Sequence, residues 1–310
     1  MPFAGYPLDR GSVLRRDGAA IDKLLVHPDS DLILIHKGQA VLELNSAKNE
    51  ARRALRLTAS AWTTLTGDTS TKPIFLGLDT KGRATFAAQL PQRFDLETGP
   101  LEGLGESVDL RMAAGGVHIG DLALLATGKS ILDWHARHGF CANCGHATEV
   151  TEAGWKRVCL NCKTEHFPRT DPVAIMLAVK DDKCLLGRGI GFRAGFISAL
   201  AGFIEPGETI EEGCARELME EAGVVMTSAR IIKNQPWPFP SQLMIGLIAE
   251  VASFDLVIDK DELSDAIWFT RDQARDLLSE GGCKHEGTIL RAPPPMAIAH
   301  HLIKAWVEEG

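Results

Sequence analysis

The spacing of four cysteines constrains this chain more than any other feature. CANCG (141–145) and CLNC (159–162) place two CxxC pairs fourteen residues apart, and each pair can wrap one edge of a metal ion. Four thiolates complete a tetrahedral shell with no open position, which makes such a site structural rather than catalytic. Cys141, Cys144, Cys159 and Cys162 are therefore expected to hold one Zn2+. A redox CxxC is the alternative reading, although that chemistry needs only one pair. His135, His138 and His166 lie nearby in sequence and are expected to stay outside a shell the cysteines already fill. Cys184, Cys214 and Cys283 lack any such spacing and read as small apolar residues.

The cysteine segment divides the 310 residues into three expected domains: a β-rich N-terminal domain over 1–139 closed by helices, a ribbon over 140–167, and a third domain over 168–310. DLILIHKGQAVLEL (31–44) reads as two strands about a turn, and PIFLGLD with RATFAAQL (73–79, 83–90) as a second pair. LETGPLEGLGESVDLR (96–111) reads as a loop. Residues 118–140 show helical spacing interrupted near Gly128. Beyond Pro168, strands are expected in PVAIMLAV, KCLLGR, FISALAGF, ARIIKNQPW and QLMIGLIAEV. Helices are expected over about 210–222, over TRDQARDLLSE with Thr270 as its cap, and over PMAIAHHLIKAWVEE. The mixture predicts an α/β or α+β third domain. No internal repeat is legible.

A net charge of −8 argues against general polyanion binding, which depends on Lys and Arg neutralising phosphates. The N-terminal MPFAGYPLDR lacks the basic flank and apolar run of a secretory signal, no apolar segment approaches about 18 residues, and VEEG is not a peroxisomal tripeptide. The expectation is a cytoplasmic protein without a membrane partner.

GFIEPGETIEEGCARELMEEAGV (202–224) contains seven glutamates. Thr209 followed by Glu212 is a capping-box signature, and Gly223 is placed to stop the helix. On that helix Glu217, Glu220 and Glu221 stand at i, i+3 and i+4 and share a face, beside an apolar stripe of Ile210, Cys214 and Leu218. Like charges so spaced cost a few tenths of a kcal/mol per pair, roughly. A hard divalent cation relieves that cost, and Mg2+ prefers carboxylate and water oxygens shared with substrate phosphates. Arg216 can orient a carboxylate from the flank, with Glu208 as its partner. Any three glutamates taken alone would read as a solvated acidic face.

The whole stretch resembles the Nudix box, GxxxxxE, seven residues, then REUxEExGU with U aliphatic, matched at Gly202, Glu208, Arg216, Glu217, Leu218, Glu220, Glu221, Gly223 and Val224. The resemblance implies an α+β Nudix fold, a mixed β-sheet sandwiched between helices, preceded here by the zinc ribbon and the β-rich domain. It implies hydrolysis of a diphosphate linkage by water, with Glu217, Glu220, Glu221 and Arg216 as the catalytic group. Mg2+ or Mn2+ would sit on Glu217, Glu220 and Glu221 with the Ala201 carbonyl and a later acidic residue, for which KDEL (260–263) offers Glu262 or Asp261. The resemblance leaves open which glutamate is the base.

NQPWPFPSQLM (234–244) resembles the SQPWPFPxSLM signature of NADH pyrophosphatases, whose domains follow in this same order. The expected substrate contacts are Gln235, Pro236, Trp237, Pro238, Phe239, Pro240, Ser241 and Gln242, with the flat rings of Trp237 and Phe239 suited to stacking on a base or lining a dinucleotide pocket, and the dimer interface as the other place for the segment. Phe167, Phe203 and, more loosely, Ala299 match further substrate positions. Asn234 and Gln242 stand where the signature has serines, and Phe167 where a tyrosine is frequent, so a hydroxyl contact is missing or replaced. The resemblance implies a homodimer that cleaves NADH and NAD to AMP and the nicotinamide mononucleotide and also removes NAD caps from RNA 5′ ends, with Lys156, Arg157, Lys163 and Arg169 as scattered bases near the ribbon. Its rivals are hydrolysis of ADP-ribose or diadenosine polyphosphates and a nucleic-acid-binding ribbon protein with an inactive scaffold.

Overall fold

A computed structural model describes residues 1–44, 50–67 and 72–309. The chain forms two compact units, one of residues 2–169 with 237–241 and one of residues 170–236 and 242–310 with Met1. Among the described residues no helix is long and apolar enough to cross a membrane.

The first unit contains α1 (Gly18–Leu25), β1 (Asp31–His36), β2 (Gln39–Glu43), β3 (Arg56–Leu57), α2 (Ala59–Thr66), β4 (Ile74–Leu78), β5 (Ala84–Leu90), β6 (Gly105–Val108), α3 (Leu110–Ala113) and α4 (Ile119–Arg137). Its six-stranded sheet runs β4-β5-β1-β2-β6, with β3 also paired to β1. β6 lies inside the segment read above as a loop, where one short strand starts at Gly105. The expected interruption at Gly128 does not occur, since α4 is continuous from Ile119 to Arg137. A Cβ at Gly128 would stand 2.8 Å from Cβ of Ala87, so the glycine admits β5 rather than breaking the helix. The ribbon follows as an antiparallel sheet of β7 (Thr148–Thr151), β8 (Lys156–Cys159) and β9 (Glu165–His166).

The second unit contains β10 (Asp171–Lys180), β11 (Lys183–Gly189), β12 (Leu200–Phe203), α5 (Ile210–Ala222), β13 (Met226–Trp237), β14 (Gln242–Val251), β15 (Leu263–Thr270), α6 (Arg271–Leu278), β16 (Cys283–His285), β17 (Thr288–Leu290) and α7 (Ile298–Glu308). β10 is the centre, and its alternation decides the layers. Ile175, Leu177 and Val179 pack with Ala274 and Leu277 of α6 and with Leu302 and Ile303 of α7. Ala174, Met176 and Ala178 pack with Cys214, Leu218 and Ala222 of α5. The sheet is thus sandwiched between helices. Within FISALAGF only Leu200–Phe203 is strand, and β15 with the small hairpin of β16 and β17 adds to the expected elements. α6 starts at the expected Thr270 cap, with a complete capping box to Gln273.

The two main sheets share one topology. The second runs β13-β14-β10-β11-β15 with β12 also paired to β10. β1 is parallel to β5 as β10 is parallel to β14, and each makes a tight antiparallel hairpin with the strand that follows. A helix follows β3 as α5 follows β12, and both helices have a threonine N-cap and a left-handed glycine C-cap. The chain contains a structural repeat that its sequence does not display.

Candidate active site

α5 is fixed at both ends by local chemistry. The Glu212 N–H donates to Thr209 Oγ1 at 3.2 Å and the Thr209 N–H donates to the Glu212 carboxylate at 2.7 Å. Gly223 closes the helix at φ 67°. Burying Cys214, Leu218 and Ala222 against the sheet turns Glu217 and Glu221 inward, so that they retain only 9% and 6% exposure. Glu220 falls on the outer edge, with 57% of its side chain exposed.

A loop after β14 supplies the third carboxylate. The Val257 N–H donates to the Ala222 carbonyl at 2.8 Å and the Asp259 N–H to the Glu221 carbonyl at 3.0 Å, which satisfies orphan carbonyls at the end of α5. This docking brings Glu262, rather than Asp261, to the site. Carboxylate oxygens of Glu217, Glu221 and Glu262 lie within 4.8 Å of one another.

Electrostatics mark this trio as a charge cluster under strain. Burial, and then the charges of Glu217 and Glu262, push the Glu221 carboxyl up to about 8, with Ala201 backbone hydrogen bonding drawing it partway back. Glu221 Oε2 is buried and has no hydrogen-bond partner. Glu217 is also raised, chiefly by burial. Arg216 organises the flank. It donates to both oxygens of Glu208 at 2.6 and 2.9 Å, to Glu217 and Glu220 at 2.9 Å each, and to the Phe203 carbonyl at 2.8 Å. Those bonds hold Glu208 down at about 2. The donor set, three clustered carboxylates with one orphaned oxygen, fits a hard divalent cation.

The cysteines form the second cluster, with one Sγ from each within 4.8 Å of the others. Cys141 Sγ lies 3.5 Å from that of Cys162 and Cys144 Sγ 3.4 Å from that of Cys159. None is in a disulfide, and the separations approach the roughly 3.8 Å edge of a tetrahedron with Zn–S bonds of about 2.3 Å. His166 Nε2 stands 3.3 Å from Cys141 Sγ, a place for a hydrogen bond to a thiolate rather than a fifth ligand. His135 and His138 are turned to the carbonyls of Gly154 and Trp134. Cys184 and Cys214 are core residues whose thiols burial pushes up to about 12.

The remaining expected substrate residues separate. Phe203, at the end of β12, is 51% exposed, and Phe167, after β9, is 60% exposed. Gln235 is fully buried. Its amide donates to the Met296 carbonyl and accepts from the Ile298 N–H, both at 2.8 Å, so it caps α7, whose Ala297 N-cap has no capping side chain. Ala299 is buried on the sheet-facing side of α7. For these two side chains the structure shows packing roles.

Trp237 and Phe239 belong to the first unit. Both rings meet Phe3 edge to face at 5.7 Å, and Arg111 lies 4.5 Å over Phe239, so the protein itself already covers part of each ring. Pro238 is buried, while Pro236, Pro240, Ser241 and Gln242 are half-buried. Of the scattered bases, Lys156 pairs with Glu152 and Glu165, Arg157 is held by Thr148 and His135, and Lys163 donates to the Leu160 carbonyl. Sequence reasoning missed Asp259 as the residue that anchors the Glu262 loop, for which the DKDEL charge run was the available signal.

Three family models match: a NUDIX domain over residues 168–290, an NADH pyrophosphatase zinc ribbon domain over 136–167, and an NADH pyrophosphatase-like rudimentary NUDIX domain over 29–134. The last agrees with the topological repeat. The chain is 45% identical over 197 residues to the NAD-capped RNA hydrolase NUDT12 of Homo sapiens, covering 60% of this chain and 42% of that protein. It is 38% identical over 241 residues to the mitochondrial NAD(P)H pyrophosphatase NUDT13 of Mus musculus, covering 75% and 67%. It is 35% identical over 184 residues to the NAD-capped RNA hydrolase NudC of Klebsiella pneumoniae (strain 342), covering 59% and 66%. The chain therefore spans less than half the length of the NUDT12 relative.

Proposed function

Since this chain belongs to the NADH pyrophosphatase family of Nudix hydrolases, we propose that it hydrolyses the pyrophosphate of NADH and NAD, releasing AMP and the reduced or oxidised nicotinamide mononucleotide. The observation that carries this reading is the Glu217, Glu221 and Glu262 cluster with its orphaned buried oxygen. Such a site is a liability to the fold unless a cation and an anionic substrate share it. It also speaks against an inactive scaffold that only binds nucleic acid.

Mg2+ or Mn2+ would be held by Glu217, Glu221 and Glu262, with Glu220 and the Ala201 carbonyl as further ligands. Bound there, it supplies positive charge to the diphosphate oxygens as negative charge develops. The protein's own groups do the rest. Arg216 fixes Glu217 and Glu208, a box carboxylate takes the proton of the attacking water, and exposed Phe203 and Phe167 offer apolar surface to the rings of the dinucleotide. Trp237 to Gln242 act at the substrate or at a homodimer interface. Zn2+ on the four cysteines serves folding.

Neutral dihydronicotinamide loses less hydration on entering an apolar surface than the cationic ring does, so NADH is the preferred free substrate. The 5′ end of an NAD-capped RNA presents the same linkage, which makes cap removal a second activity of the one site. The test is kcat/KM for NADH, NAD, ADP-ribose, a diadenosine polyphosphate and an NAD-capped RNA, with products identified by mass. A lead of about tenfold for ADP-ribose or the diadenosine substrate, about 1.4 kcal/mol in transition-state stabilisation, would overturn the reading. A lead for capped RNA would keep the chemistry and move the role to RNA 5′ ends.

A further inference from the structure

Glu217 and Glu221 are fixed by the buried face of α5, whereas Glu262 is exposed and comes from a turn. The backbone on either side of Glu262 therefore has to set its direction. Asp259 closes the turn before it: its carbonyl accepts from the Leu263 N–H at 2.9 Å and its Oδ1 from the Asp261 N–H at 2.8 Å. On the other side Glu262 runs directly into β15.

β15 does not alternate evenly. Ala266 and Trp268 pack on the α5 side of the sheet, and Ile267 and Phe269 on the side of α6 and α7. Continued back along the strand, that period of two would turn Ser264 toward α5 and Leu263 away from it. Leu263 nevertheless packs on the α5 side. The ladder gives the reason, since Asp265 pairs with Arg188 and Leu263 with Gly189, which leaves Ser264 as the extra residue of a β-bulge. A slip of one residue exchanges the faces of all that lies beyond it, so the bulge sets the phase of Leu263 and of the adjoining Glu262.

Ser264 also fastens the bulge. Its hydroxyl donates to the Arg188 carbonyl and accepts from Arg188 Nε, both at 2.9 Å. In this register the Ile190 N–H donates to the Glu262 carbonyl at 3.3 Å. In an even ladder Gly189 would face Ser264 instead, and Glu262 would be displaced by one residue along β11.

We propose, resting on the reading above of Glu262 as a metal ligand, that Ser264 clamped to Arg188 is a positioning residue for the divalent-cation site. The bulge it closes aims the Glu262 carboxylate at Glu217 and Glu221.

Mn2+ binding to the full zinc-loaded chain without substrate, read from the loss of the free-ion electron paramagnetic resonance signal, tests this apart from turnover. Glu262→Gln sets the scale, with an expected loss of affinity of about tenfold. Ser264→Ala should lose about threefold to tenfold, the size of one or two hydrogen bonds, and Ser264→Thr, which keeps the hydroxyl, should stay within about twofold of wild type. In the Glu262→Gln background Ser264→Ala should cost less than about twofold more, because its effect passes through Glu262. Wild-type affinity in Ser264→Ala, or an undiminished further loss in the double variant, would overturn the positioning role alone. Wild-type affinity in Glu262→Gln would overturn the ligand reading and the positioning role together. If Ser264→Ala does not fold, Ser264→Val against Ser264→Thr decides: equal affinity in these two similarly shaped variants rejects the proposal.

Discussion

A methyl group on Gly202 would stand 1.8 Å from Cδ of Glu217. The first glycine of the box is therefore required for volume, since the Glu217 carboxyl occupies the place of its side chain. Gly202→Ala should expel Glu217 from the cluster. Turnover is expected to fall by about 10^2, the effect of a misplacement of about 1 Å at a reacting centre, with the far-UV spectrum unchanged. Wild-type turnover in Gly202→Ala would show that Glu217 can move without consequence.

Glu221→Gln should lower turnover by at least about 10^2, because it replaces a charged ligand with a neutral one of the same shape. Glu220→Gln is expected to lose less, as Glu220 is exposed and outside the trio. Stability should move the other way. With its carboxyl raised to about 8, Glu221 keeps its proton in the folded chain after the unfolded chain has released it. The metal-free protein therefore loses stability as pH rises from the ordinary carboxylate range through about 8. Melting curves without divalent metal at pH 6 and 9 should show that loss in wild type and a smaller one in Glu221→Gln.

His135 gives the opposite slope. Its Nε2 donates to the Gly154 carbonyl at 2.8 Å and its Nδ1 accepts from Arg157 at 3.0 Å, an arrangement only the neutral ring satisfies. Burial pushes its pKa down to about 4. The depressed value contributes stability that is complete above the ordinary histidine range near 6.5 and is lost as pH falls from there through about 4. Denaturant midpoints between pH 7 and 4.5 should fall more steeply in wild type than in His135→Gln.

One zinc per chain should be found by elemental analysis. Cys159 is fully buried and Cys141 nearly so, so Cys159→Ser should lose both the metal and the thermal transition of the ribbon, with binding and folding coupled. A variant that keeps zinc and melting temperature would reject Cys159 as a ligand.

The capping box at Thr209, the stop at Gly223 and the two CxxC pairs were legible because each is a local pattern with a local physical cause. Glu262 was found by its charge, but its selection over Asp261 depends on the Val257 and Asp259 amides reaching the end of α5, a contact no spacing encodes. The inward turn of Gln235 and Ala299 has a related cause. Their chemistry suits a ligand equally well, and only the uncapped start of α7 and its apolar face determine that they turn inward. At Gly128 the apolar spacing reads as a break, whereas packing on Ala87 outweighs the cost of about 1 kcal/mol for a helical glycine. The strand of residues 263–270 escaped notice because Ser264 and Asp265 disturb its alternation beside the register shift at Arg188 and Gly189.

The repeated topology lets the chain act as its own control. α2, ASAWTTLT, holds the place of α5 with the same threonine cap and glycine stop and contains no acidic residue, while IEEGCARELMEEA contains five. The architecture evidently closes without carboxylates on that helix. The acidity of α5 is therefore no structural debt of the fold, and grafting neutral residues onto its inner face should produce a sturdier, inert twin of the half that already exists.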